Sequence, residues 1–100
     1  MKRFNDVING EKPVFVDFYA SWCGPCRVMS PIVDKVERKY GEKMEFLKID
    51  VDECEELALR YKVNTVPSLM IFKKGELLWR VVGIQSQSML EEVIKRFIEC

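Results

Sequence analysis

Apolar positions along the chain alternate between helical spacing and continuous runs, with turn residues between them. Phe4, Val7 and Ile8 recur at helical spacing, and Gly10 follows as a stop signal. Pro13 to Tyr19 reads PVFVDFY, a nearly continuous apolar and aromatic run that predicts a central strand buried on both faces. From about Gly24 to Tyr40, helical spacing returns at Val28, Met29, Ile32, Val33, Val36 and Tyr40. Gly41 ends this segment, and Pro31 inside it is expected to kink it. Met44 to Val51 predicts a second strand. Cys54, Leu57, Ala58 and Tyr61, at i, i+3, i+4 and i+7, predict a short helix. Ser68–Lys73 and Leu77–Val82 predict a hairpin around Lys74-Gly75. Ser88 and Glu91 read as a capping box for a last helix that buries Met89, Leu90, Val93, Ile94, Phe97 and Ile98.

The predicted order is α-β-α-β-α-β-β-α. A helix joins the first two strands, so they should be parallel neighbours in a right-handed crossover. The hairpin adds two antiparallel strands. The expected architecture is α/β: a mixed four-stranded sheet, two strands parallel and two antiparallel, with helices on both faces. No repeat, linker or low-complexity stretch divides the chain, so residues 1–100 read as a single domain.

Composition narrows the function classes. Hydrophobic residues are 48% and charged residues 32%, which fits a folded domain able to bury a core without a disulfide scaffold. Sixteen Lys plus Arg balance 16 Asp plus Glu, and a net charge of zero argues against a general binder of nucleic acid or anionic membrane. Histidine is absent, which removes Ser-His-Asp and Cys-His catalysis and two-His metal sites. No apolar run reaches the roughly 18 residues of a membrane span. Met1-Lys2-Arg3-Phe4-Asn5-Asp6 has basic residues with no apolar segment behind them, so no signal peptide is read and a cytoplasmic, reducing location is expected. Four cysteines there suggest redox or metal chemistry before structural staples.

Trp22-Cys23-Gly24-Pro25-Cys26 is the most informative stretch. It follows the buried strand and opens a helix. Two intervening residues let cysteines of a first helical turn come within disulfide distance. At a helix N-terminus, unpaired N–H groups and the macrodipole favour a thiolate at Cys23. Pro25 suits a first turn, where its missing N–H costs nothing. Half a zinc site and a structural disulfide are the alternatives. No second CxxC and no His completes a metal set, and a reducing location disfavours a permanent bridge.

The chain resembles the thioredoxin family along nearly its whole length. The resemblance is carried by VDFYASWCGPC (Val16 to Cys26), Pro31, FLKIDVD (Phe46 to Asp52), TVPS (Thr65 to Ser68), KKGE around Gly75 and VVG ending at Gly83. It implies the thioredoxin-like fold and a dithiol–disulfide reductase. Cys23 would be the exposed nucleophile, and Cys26, more buried, would resolve the mixed disulfide. Gly-Pro between the cysteines resembles the reducing members, since oxidising relatives carry a His there. The resemblance further implies that Asp17 is a buried carboxylate near Cys26 that moves its proton, with Lys48 close by. It implies a cis Pro67 facing the cysteines, with the backbone of Thr65 and Val66 turned outward to pair with an extended substrate. Trp22, Gly24, Pro25, Val66, Pro67, Gly83 and Ile84 would form an apolar docking surface.

The implied partners are disulfide-containing proteins and a thioredoxin reductase as electron donor. The implied protein is a monomer in cytoplasmic electron transport and redox homeostasis. It would need no cofactor or metal beyond the Cys23–Cys26 disulfide. Cys54 lies among acidic neighbours that repel a thiolate and reads as structural; Cys100 reads as exposed and unreactive. The family usually begins with a strand before the first helix. This chain begins at that helix, so one sheet edge is expected to be shortened or open. A binding module on the same fold and a disulfide oxidase or isomerase are the rival readings. The intact Cys23, Cys26, Asp17 and Pro67 set disfavours the first, and the Gly-Pro pair disfavours the second.

Overall fold

The apolar run after Pro13 forms β1 (Val14–Tyr19), the strand around which everything else packs. The computed structural model describes residues 2–98. β1 lies between β2 (Glu45–Asp50), its parallel partner, and β3 (Ser68–Lys73), its antiparallel one. β4 (Glu76–Val82) closes the sheet against β3, giving the order β2-β1-β3-β4. The mixed four-stranded sheet is therefore the one expected. Its β2 edge pairs with β1 alone, and among the described residues the chain enters through a helix rather than a strand. Glu45 and Lys48 put charge on that open edge, which discourages a stray strand from pairing there.

Alternation along the two inner strands sorts their side chains into two cores. On one face, Phe15, Leu69 and Ile71 meet Met29, Val33 and Val36 of α2 (Gly24–Tyr40) and Leu90, Val93 and Ile94 of α4 (Gln87–Ile98). On the other, Val14, Val16, Phe18, Met70 and Phe72 meet Phe4 and Ile8 of α1 (Lys2–Ile8) and Leu57 of α3 (Glu55–Arg60). Helices thus cover both faces, which is why β1 and β3 read as continuous apolar runs. β4 alternates between exposed and half-buried positions instead, because it is an edge strand.

Four local expectations change. The last helix is capped two residues earlier than the Ser88/Glu91 pair predicts: Ser86 Oγ accepts from the Met89 N–H at 3.1 Å. Glu91 is then free to bond across to α2. Val28, counted on the apolar stripe of α2, is half exposed because that stripe is narrower than the spacing suggests. Cys54 and Tyr61 flank α3 as its caps rather than lying within it. The hairpin turn is as expected, with Lys74 (φ 51°) and Gly75 (φ 82°) both left-handed, the pairing that suits strand twist. Glu76 joins β4 one residue earlier than predicted, and Leu78 bulges where the register slips between Ile71 and Phe72. Cys100 lies outside the described residues.

Candidate active site

β1 delivers the chain to the top of the sheet, and Trp22-Cys23 turn it into α2. Cys23 is the N-cap residue, with extended backbone (φ −89°, ψ 114°), and its Sγ accepts the Cys26 N–H at 3.2 Å. A sulfur here fills the role usually taken by a Ser or Asp oxygen: it satisfies one of the helix's unpaired donors. Pro25 sits in the first turn, where the helix needs no donor from it. Cys23 and Cys26 are joined as a disulfide with Cα atoms 5.3 Å apart.

The expected difference in exposure between the two cysteines is not seen in this oxidised pair: Cys23 is 4% and Cys26 5% exposed. The bonded sulfurs lie in one buried cluster with Ala20, and half-buried Val66 packs against it. The asymmetry lies in what each sulfur faces. Cys23 Sγ points to the helix N-terminus and lies 3.6 Å from the Val66 carbonyl oxygen. Cys26 backs onto a cavity of about 260 Å³ lined by Asp17, Tyr19, Ser21, Arg27, Ser30 and Lys48, with room for a few water molecules.

Asp17 is 3% exposed, and its Oδ1 has no hydrogen-bond partner. A carboxylate without bonds in an apolar strand resists ionisation. Burial pushes its pKa up from 3.8 to about 6; the Lys48 charge opposes this and the Asp34 charge adds to it. The parallel register sets Asp17 directly beside Lys48. The Lys48 ammonium, however, donates to Asp34 Oδ1 at 2.6 Å and Ser30 Oγ at 3.0 Å. Arg27, the other cation on the cavity, donates to the Ser21 carbonyl at 3.0 Å.

The Val66–Pro67 bond is cis; Pro67 is buried, Thr65 is exposed, and half-buried Val66 packs against the cysteine pair. Ser68 Oγ donates to the Thr65 carbonyl at 2.5 Å, and the Gly83 N–H donates to the Pro67 carbonyl at 2.9 Å. Gly83 has φ +91°, a backbone only glycine adopts without strain. The Gln85 N–H that follows donates to Met29 Sδ at 3.3 Å, so the loop is tied to α2 as well as to Pro67. Trp22 is 67% and Ile84 52% exposed. A Cβ on Gly24 would meet nothing in this chain, so the surface above the disulfide is open to another backbone.

The structure therefore places Trp22, Cys23, Gly24, Pro25, Cys26, Thr65, Val66, Pro67 and Gly83 around the start of α2, with Asp17 and Lys48 on the cavity behind Cys26 and the exposed Ile84 following Gly83 in the chain. Sequence reasoning missed Ser30, Asp34 and Asp52. Ser30 and Asp34 stand four and eight residues after Cys26, on the same helical stripe, and that spacing was a usable signal. Asp52 accepts the Trp22 indole N–H at 2.9 Å, a contact across 30 residues with no local signature.

A sequence model of a protein family, described as Thioredoxin, matches residues 1–96. Thioredoxin of Porphyra purpurea is 42% identical over 93 residues, covering 93% of this chain and 87% of that protein. Thioredoxin C-2 of Corynebacterium nephridii is 38% identical over 93 residues, covering 93% and 86%. Among solved structures, a single-substitution mutant of thioredoxin from Halobacterium salinarum superimposes with a TM-score of 0.92 at 37% identity, covering all of this chain and 87% of that one. Oxidised mitochondrial thioredoxin 3 of Saccharomyces cerevisiae superimposes with a TM-score of 0.86 at 34% identity, covering 95% and 88%.

Proposed function

The chain belongs to the thioredoxin family, and from that premise we propose that this protein disulfide oxidoreductase works in the reducing direction on substrate proteins. The observation that carries the reading is the Cys23–Cys26 pair at the start of α2, with the cavity holding Asp17 behind Cys26.

In the reduced state, the Cys23 thiolate attacks one sulfur of a substrate disulfide. That bond breaks, a substrate thiolate leaves and takes up a proton, and a mixed disulfide joins Cys23 to the substrate. Asp17, in its ionised form, accepts the Cys26 proton across the cavity. The Cys26 thiolate then attacks Cys23 Sγ, the second substrate thiolate leaves, and the intramolecular disulfide reforms. Two electrons pass from the cysteine pair to the substrate. A thioredoxin reductase restores the dithiol. The exposed Trp22 and Ile84, with open Gly24 and the backbone of Thr65 and Val66, receive the extended substrate segment. The reading places this chemistry in a monomer in the cytoplasm, with no cofactor beyond the disulfide.

An insulin-reduction assay driven by dithiothreitol, run in parallel with thioredoxin reductase as donor, tests this. Turnover in both arms is expected. Activity with dithiothreitol alone would remove the reductase from the proposal, and no activity in either would remove the reducing function.

A further inference from the structure

We propose that Asp34 and Ser30 are positioning residues that hold the Lys48 ammonium off Asp17 and so control how readily Asp17 ionises. The β1–β2 register places residues 17 and 48 side by side, so an unrestrained Lys48 has the nearest buried anion as its natural partner. Instead its Nζ is bonded to Asp34 Oδ1 at 2.6 Å and to Ser30 Oγ at 3.0 Å. Both acceptors come from α2, one and two turns beyond Cys26. Asp17 Oδ1 is left without a bond.

The groups around Asp17 support this from each element packed on it. β2 contributes Lys48, and β3 contributes only the apolar Leu69 at the paired position. α2 contributes Cys26, Arg27, Ser30 and Asp34, and the segment after β1 contributes Ser21. Tyr19 is the polar neighbour on β1 itself. Lys48 and Arg27 are the two cations on the cavity, and each is bonded to an acceptor other than Asp17. As a surface ion pair, Lys48–Asp34 contributes little to stability. Its effect is on position: moving a unit charge by a few ångströms matters far more to a buried carboxylate than to a solvated one. Asp34 also opposes the ionisation of Asp17 directly, so both of its actions have the same sign. Burial raises the Asp17 carboxyl to about 6, and keeping the Lys48 charge on α2 preserves that rise, so the group can both take and return a proton.

The chemical meaning rests on Asp17 serving Cys26, but the ionisation itself is measurable without any substrate. The test is NMR titration of the Asp17 carboxyl carbon in the oxidised protein, for the parent, Asp34→Asn, Asp34→Glu, Ser30→Ala, Lys48→Met and the Asp34→Asn/Lys48→Met double variant. Asp34→Asn is expected to lower the midpoint from about 6 toward the unperturbed 3.8. Ser30→Ala should lower it less, Asp34→Glu should restore it, and Lys48→Met should raise it. In the Lys48→Met background the effect of Asp34→Asn should shrink to the direct repulsion alone. An unmoved midpoint in Asp34→Asn, or the same displacement with and without Lys48, overturns the proposal. The pH–rate profile separates the two readings. If the midpoint moves and the acid limb of turnover moves with it, both stand. If the midpoint moves and the limb does not, the positioning stands and the proton-acceptor role of Asp17 falls.

Discussion

At the N-terminal end of α2, the carboxyl of Asp17 is buried with Oδ1 unpartnered, whereas at the C-terminal end Glu91 of α4 gathers three donors. Lys39 Nζ and Tyr40 Oη donate to Glu91 Oε1 at 2.6 and 3.0 Å, and Gln87 Nε2 donates to Oε2 at 3.0 Å. The physical outcomes are opposite. Burial pushes Asp17 up to about 6, while the bonds from Lys39, Tyr40 and Gln87 hold Glu91 down at about 2. A carboxylate given all its bonds locks two helices together and does nothing else near neutral pH. A carboxylate denied them weakens the fold and becomes able to exchange a proton. One helix therefore carries a stabilising seam at one end and a reactive site at the other.

The most severe test of this division is Cys26→Ser. Turnover should vanish, and substrate proteins should accumulate as mixed disulfides on Cys23, read by mass spectrometry under non-reducing conditions. The α2–α4 seam should be unaffected. Trapping through Cys54 instead would show that the reactive end has been misplaced.

Asp17→Asn comes next and moves stability and activity in opposite directions. With the folded pKa above the unfolded one, the native state holds its proton more tightly. The penalty is absent below pH 3.8, grows as pH rises toward about 6, and is constant above that. A displacement from 3.8 to about 6 corresponds to roughly 3 kcal/mol. Urea melts should therefore show the variant gaining about 3 kcal/mol more at pH 8 than at pH 3, while insulin reduction at pH 7 slows at least about tenfold. Equal gains at both pH values would mean that the carboxyl is solvated in the native state.

Tyr40→Phe should do the reverse. It removes one bond to a charged acceptor and should cost about 1 kcal/mol in the same melts, with turnover unchanged. A loss of activity there would join the two ends that the structure keeps apart.

Glu91→Gln is the mildest change and tests the opposite sign. Glu91 has a lowered folded pKa, so its contribution is complete above its unfolded value of 4.5 and fades as pH falls toward about 2. The parent should melt at a slightly higher urea concentration than Glu91→Gln at pH 7, and the gap should close by about pH 2. A gap that persists in acid would show that packing, not charge, holds the seam.

The reactive end is the more legible of the two. WCGPC after an apolar strand points to a cysteine pair at a helix start, and Asp17 stands out because a charge interrupts PVFVDFY. The Glu91 seam is not legible in the same way. Ser88 and Glu91 match a capping box in spacing, but Ser86 takes the cap and releases Glu91 to its partners on α2. Spacing alone cannot choose between two serines two residues apart, because the choice depends on where the loop from Gly83 meets the helix. That loop is held by the Pro67 carbonyl and Met29 Sδ, both distant in sequence.

The elements, their order and the chemistry of the cysteine pair can all be read from the linear chain. Periodicity, capping and the helix-start thiolate depend on neighbours within a turn or two, and those are written contiguously. Packing between distant segments is what makes Lys48 bond Asp34 and Ser30 rather than Asp17, and what leaves the two cysteines equally buried when joined. Those outcomes depend on how closely α2 lies over the β1–β2 edge and on which acceptor the ammonium reaches first. Distances of an ångström or two between elements far apart in the chain settle them, and no local pattern encodes such distances.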